Sequence, residues 1–154
     1  MKKLKFLLSI FLFISISACG YSRLNEQSNQ LKLNIIEING DKRLAYILKN
    51  NLTLISKKES NNIYDLSINL TNFKSSKIKD TTGKTTRFNL GLNGDLKLTD
   101  NNKFVYNRMF TVNNDFDVSK NHSDTIRNEK NSMQNNIDAL SEEIIKYIQL
   151  INLN

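Results

Sequence analysis

Cys19 is the only cysteine of this 154-residue chain, and it follows Ile16, Ser17 and Ala18 at the end of a short apolar run. A thiol in that position is either an acyl acceptor or a free group exposed to oxidation. His122 is the only histidine, so zinc and thiolate centres have almost no ligands to draw on, and no metal is expected. No G-x-S-x-G elbow and no phosphate-cradling glycine loop occurs. Asp115 and Asp117 are two acids on one strand end without a recognisable partner, and a solvated strand end explains them better than an active site. One basic run stands out: Lys74, Lys77, Lys79, Lys84 and Arg87, threaded with Ser, Thr and Gly83 between two strands. Two readings are open for it. It is a solvated loop whose charges keep strand ends from aggregating, or it grips phosphates, with Arg87 forking onto two oxygens and the lysines acting as point charges. Nothing here adds up to catalysis or to a cofactor site, and the chain is not expected to be an enzyme.

The elements that must position these residues follow from hydrophobic periodicity. Leu31 to Ile38 is rich in Leu and Ile and predicts a first strand. Asn39-Gly40-Asp41 breaks it, and Asp41 is placed to cap a helix. From Lys42 to Ser56, Leu44, Ile47, Leu48, Leu52 and Ile55 recur at helical spacing. Tyr64, Leu66, Ile68 and Leu70 then alternate with polar residues, as do Phe88, Leu90, Leu92, Leu96 and Leu98, and then Phe104, Tyr106, Phe110 and Val112. Asp100-Asn101-Asn102-Lys103 is turn chemistry between the last two. These three strands predict an antiparallel meander whose register is firm, because a one-residue slip would turn its apolar face to water. Gly94 falls at an inward position, which predicts a bulge or the close approach of a helix. Arg108 stands where an apolar residue is expected.

A long closing helix opens near Ser123 or Asp124, with Ile126, Met133, Ile137, Leu140, Ile144, Ile148 and Ile151 on one stripe and Tyr147 beside it. Glu129-Lys130 and Glu142-Glu143-Lys146 fall on its solvent side, where such pairs contribute only tenths of a kcal/mol. The order β-α-β-β-β-α, with helices on one face of a four-stranded antiparallel or mixed sheet, is an α+β two-layer sandwich.

Ahead of this domain, Met1-Lys2-Lys3-Leu4-Lys5 is a positive start and Phe6 to Ile16 an apolar run broken by Ser9 and Ser15. That run is too short to cross a hydrocarbon core, which needs about 20 apolar residues, and has the form of a secretory signal. Ile16-Ser17-Ala18-Cys19 resembles the lipobox of bacterial lipoproteins, which implies cleavage before Cys19 and acylation of its thiol. Acyl chains contribute ~0.8 kcal/mol per buried methylene, enough in combination to anchor without a transmembrane helix. The expected organisation is a signal over 1–18, a lipidated tether over 19–30 and a single domain over 31–154. Gly20-Tyr21 after the cysteine, in place of an aspartate, resembles the outer-membrane-sorted kind.

Charge fits an envelope protein. The 22 basic residues, less Lys2, Lys3 and Lys5, leave 19 against 15 acidic ones, a net +4. That excess is mild; nucleic acid is a poor partner for a tethered secreted domain, and an anionic glycolipid surface is a more natural one.

The pieces together resemble the lipopolysaccharide-assembly lipoprotein family LptE. Cys19-Gly20-Tyr21 followed by strand and helix carries the likeness. So does Thr82-Gly83-Lys84-Thr85-Thr86-Arg87-Phe88-Asn89-Leu90 leading into Leu96-Lys97-Leu98-Thr99-Asp100, then Tyr106-Asn107 and the helix from Asp124 to Leu150. Tyr21-Ser22-Arg23 stands where that family often has proline and arginine. The resemblance implies an outer-membrane lipoprotein that plugs and helps assemble the β-barrel LptD and binds lipopolysaccharide. It makes Lys74, Lys77, Lys79, Lys84 and Arg87 candidate contacts for lipid A phosphates. Two rival roles need no basic loop: an accessory of an envelope transporter or secretin, and an activator of a peptidoglycan synthase.

Overall fold

A computed structural model describes residues 31–56, 60, 62–100 and 103–151, with the backbone alone for 103–105. Cys19, the signal and the tether lie outside the described residues. Strand β1 (Leu31–Asn39) leads into helix α1 (Lys42–Ile55), then β2 (Asn62–Lys79), β3 (Thr85–Asp100), β4 (Lys103–Asp117) and helix α2 (His122–Ile151). The sheet order is β1-β2-β3-β4, with β1 parallel to β2 and the other pairs antiparallel. This is the expected α+β order, with a mixed sheet because α1 carries the chain back to start β2 in the direction of β1.

The helices share one face of the sheet, and residues opposite one another across the ladder build that face in rows. Leu66, Leu98 and Tyr106 form one row, Leu70, Gly94 and Phe110 another. Leu48 and Leu52 of α1 and Ile137, Leu140, Ile144 and Ile148 of α2 cover them, each at most 1% exposed. Burying each such side chain stabilises the fold by roughly 1.5–3 kcal/mol. Gly94 keeps its ladder register, so it is not a bulge; a Cβ there would lie 3.2 Å from Leu140 Cδ2. The close approach of α2 is the reason for the glycine. Arg108 does face the helix side, on the row of Ile68 and Leu96. It resolves the mismatch by lying across the ring of Tyr147 at 4.6 Å and of Phe110 at 5.3 Å.

Polar side chains close the seams. Asp41 Oδ1 accepts from the amides of Arg43 and Leu44, capping α1 as expected. Asn121 Oδ1 accepts from the amide of Ser123 at the start of α2, which begins at His122, one residue earlier than read from the sequence. Asn51 Nδ2 donates to Ser141 Oγ at 3.1 Å and ties the helices together. Asn136, fully buried on α2, donates to the carbonyl of Leu90 at 2.8 Å.

The largest departure concerns strand length. The basic run is not a loop: β2 extends to Lys79 and β3 begins at Thr85, leaving only residues 80–84 as a turn. β4 likewise runs through Asn113 to Asp117. Alternation disappears after Leu70 because Asn72, Lys74 and Ser76 take the helix-facing side of β2, while Leu92, Leu90 and Phe88 opposite them on β3 supply the apolar surface. Ile126, placed on the apolar stripe of α2 by its spacing, is 40% exposed at the mouth of a cleft between the helices.

Candidate functional site

The five cations of the basic run sit on the far half of the β2–β3 hairpin, and their fates differ. Lys74 is on the helix face. Its Nζ donates to Glu129 Oε1 of α2 at 2.8 Å and lies over the stacked rings of Phe88 and Phe116, 4.6 and 5.0 Å from their centroids. It is a structural clamp between sheet and helix. On the opposite, helix-free face, Lys77 bonds Asp115 Oδ2, and Asp115 Oδ1 also accepts from Asn89 Nδ2 at 2.9 Å. Arg87 spends its fork on Asp117, with Nε at 2.6 Å from Oδ1 and Nη2 at 3.2 Å from Oδ2. Register makes these pairs, since Arg87 stands directly opposite Asp117 and Asn89 opposite Asp115.

Asp115 and Asp117 therefore have partners, contrary to the sequence expectation. Hydrogen bonds from Lys77 and Asn89 hold the Asp115 carboxyl below its ordinary value, and the bond from Arg87 does the same for Asp117. Asp117 in turn raises the Arg87 guanidinium further. The solvent-exposed pairs contribute little individually, but they neutralise two of the cations expected to meet phosphate.

The turn itself is organised by Asp80. Its Oδ1 accepts from the Thr82 hydroxyl at 2.6 Å, the Thr82 amide at 2.9 Å and the Lys84 amide at 3.0 Å. The Thr82 hydroxyl is the main cause holding the Asp80 carboxyl low, and the Lys84 charge adds to it. Gly83 closes the turn at φ +85° and its amide donates to the Asp80 carbonyl at 3.0 Å. The amides of Thr82 and Lys84 are thus spent on a carboxylate of the chain, and the turn offers an anion side chains instead. Among the described residues Lys79 and Lys84 form no ion pair. These two exposed ammonium groups are the cations left free at the hairpin tip.

The helix-free face of the sheet carries a field of amides and hydroxyls. Ser67, Asn69, Thr71, Asn93, Asn107, Thr111 and Asn113 face outward there, with Thr111 donating to Asn93 at 2.9 Å and Asn89 to Asn113 at 3.3 Å. Phe73 lies on it against Gly91, where a Cβ would overlap the tip of its ring. His122 is exposed at the head of α2. Among the described residues no group of three or more His, Cys, Asp or Glu could hold a metal ion, and no helix is long and apolar enough to cross a membrane.

Neither a protein-family model nor a curated protein matches the sequence. Solved structures do match the fold. Rare lipoprotein B from Shewanella oneidensis superposes with a TM-score of 0.64 at 14% identity, over 82% of this chain and 98% of that one. Lipoprotein B from Nitrosomonas europaea gives 0.60 at 13% identity, over 86% and 92%. A minor lipoprotein from Acinetobacter baumannii gives 0.57 at 18% identity, over 80% and 92%. The β-α-β-β-β-α domain described above thus has the fold of these bacterial lipoproteins.

Proposed function

We propose that the chain is an envelope lipoprotein, anchored through acylated Cys19, that seats its α+β domain in the lumen of the outer-membrane β-barrel LptD. There it supports assembly of the barrel and the passage of lipopolysaccharide to the outer leaflet. The observation that carries the reading is the fold: it is shared with lipoproteins over nearly their whole length, and it follows a sequence with a lipobox. The helix-free face supports it physically, because a plug in a wet barrel interior needs a polar wall toward the barrel. Lipid A phosphates, on this reading, meet Lys79 and Lys84, the cations the fold leaves free. Lys77 and Arg87 would have to exchange a carboxylate for a phosphate, and Lys74 serves the packing of α2.

Affinity purification from detergent-solubilised outer membrane is the test. Recovery of a large β-barrel at equal stoichiometry is the expected result. Recovery of a secretin or a peptidoglycan synthase in its place would overturn the reading in favour of an accessory or an activator role. Intact mass of the recovered chain should show a start at Cys19 with added acyl mass.

A further inference from the structure

β1 pairs with β2 only from Asn62 to Asn69, while β2 continues to Lys79. Beyond Leu70, against whose backbone Gly40 packs, the outer edge of β2 has no neighbouring strand among the described residues. All of Thr71–Lys79 is exposed. On its inner side this stretch is a regular ladder to β3 as far as Ser76, where bulges at Ser76/Ile78 and Ile78/Lys79 end the regular edge. Every second residue of Thr71–Ser76 therefore turns its backbone N–H and C=O to the open side, a row about 17 Å long at ~3.3 Å per residue, in line with β1. Such a row is a template for an added strand.

The charges around the row define what can pair with it. At one end stands the first turn of α1, which carries Lys42 and Arg43 and no acidic side chain, at the positive end of the helix dipole. Arg43 lines the same cleft as Asn72. At the other end stand Lys79 and Lys84. None of these four cations forms an ion pair among the described residues. The neighbouring carboxylates, by contrast, are committed: Asp41 to the α1 amides, Glu129 to Lys74, Asp115 to Lys77 and Asp80 to its own turn. A second copy of this chain would bring lysine against lysine on the edge. The outer edge of β4, the other long edge of the meander, ends in Asp115 and Asp117, whose carboxylates pair with Lys77 and Arg87.

We propose that the edge of β2 at Thr71–Ser76 accepts an extended, acidic segment of a partner protein as an added strand, held by the ladder and flanked by Lys42, Arg43, Lys79 and Lys84. This goes beyond the barrel-plug reading and does not depend on it; glycolipid binding plays no part in it.

The test uses the full chain in detergent micelles with two twelve-residue probes, one alternating Thr and Glu, the other alternating Thr and Lys. Amide exchange is followed by mass spectrometry and binding by fluorescence anisotropy. The Thr–Glu peptide should slow exchange across 71–76 by tenfold or more, leave the β4 edge at 107–113 unchanged, and lose about tenfold in affinity to the Lys79→Glu/Lys84→Glu variant. Those two side chains are exposed at the hairpin tip, and far-ultraviolet dichroism checks that the variant is folded. The wild-type comparison of the two peptides stands without it. Equal protection by the Thr–Lys peptide, protection confined to β4, or no protection by either peptide would overturn the proposal. So would concentration-dependent protection of 71–76 in the free chain, which would assign the edge to self-pairing.

Discussion

Gly40 joins the first strand to the helix that brackets the free edge, and the structure sets what replacing it should cost. Its φ is +120°, a region in which an L side chain is strained, and a Cβ there would lie 2.4 Å from the carbonyl oxygen of Leu70. That contact is with backbone, inside the ladder of β2, so nothing nearby can rotate away. Gly83 is the natural control, with φ +85° and open space around the missing Cβ. Backbone strain alone costs about 1–2 kcal/mol for a left-handed residue, and the stiffer unfolded chain returns roughly 0.4–1 kcal/mol. Gly83→Ala should then destabilise by at most about 1.6 kcal/mol. Gly40→Ala adds the clash with Leu70 to a strain of about 1–3 kcal/mol, for a net loss of about 2–4 kcal/mol. Equilibrium urea unfolding reads the difference. With a slope of about 1.5 kcal/mol per M, the midpoint should fall by ~1.3–2.7 M for Gly40→Ala and by no more than ~1.1 M for Gly83→Ala. Equal midpoints for the two variants, or the reverse order, would refute the argument that the α1 entry is pressed onto β2.

Three further outcomes are expected. Leu140→Ala opens a cavity under Gly94 and should cost about 2–5 kcal/mol, measured by the same unfolding experiment; a loss below about 1 kcal/mol would mean that α2 does not press on the sheet there. The depressed carboxyls of Asp115 and Asp117 contribute stability that is present above their unfolded value of about 3.9 and is lost as pH falls through their lower folded values. The melting temperature should therefore fall progressively below about pH 4, and Asp115→Asn/Asp117→Asn should flatten that acid limb; an unchanged limb would remove both pairs from the acid response. Lys84→Glu and Arg87→Glu should separate binding from folding: the first lowers lipopolysaccharide binding in a salt-sensitive way with only a small change in melting temperature, because its charged neighbour is Asp80 in an exposed turn. The second lowers the melting temperature as well, because it sets a carboxylate opposite Asp117, and identical melting temperatures would contradict the pairing.

The distinction between Lys84 and Arg87 marks where the sequence stops being legible. Periodicity was enough for every segment whose own side chains face the core: Leu44, Leu48 and Leu52 on α1, Ile137 to Ile148 on α2, and Leu66, Ile68 and Leu70 on β2. It failed for the rest of β2, because a strand is held by its backbone ladder and needs apolar side chains on only one partner. Leu90 and Leu92 of β3 face the helices from positions opposite Lys74 and Asn72, so β2 itself carries no pattern there. The same gap hid the ion pairs. Glu129, expected at the solvent side of α2, bonds Lys74 of β2, and Asp115 and Asp117 meet Lys77 and Arg87 only because β3 and β4 lie in a particular register.

A basic run read by spacing alone treats five cations as one patch. The fold divides them by position along the hairpin. Where β4 and α2 still flank β2 and β3, each cation pairs with a carboxylate; at the tip, Lys79 and Lys84 form no ion pair among the described residues. Within the basic run, which cations stay unpaired follows from the mismatch in strand lengths, since β2 and β3 extend past both β1 and the end of β4. The same mismatch leaves the edge at Thr71–Ser76 open. On the two proposals above, an anionic partner, phosphate or carboxylate, meets Lys79 and Lys84 at the hairpin tip beside the open edge of β2.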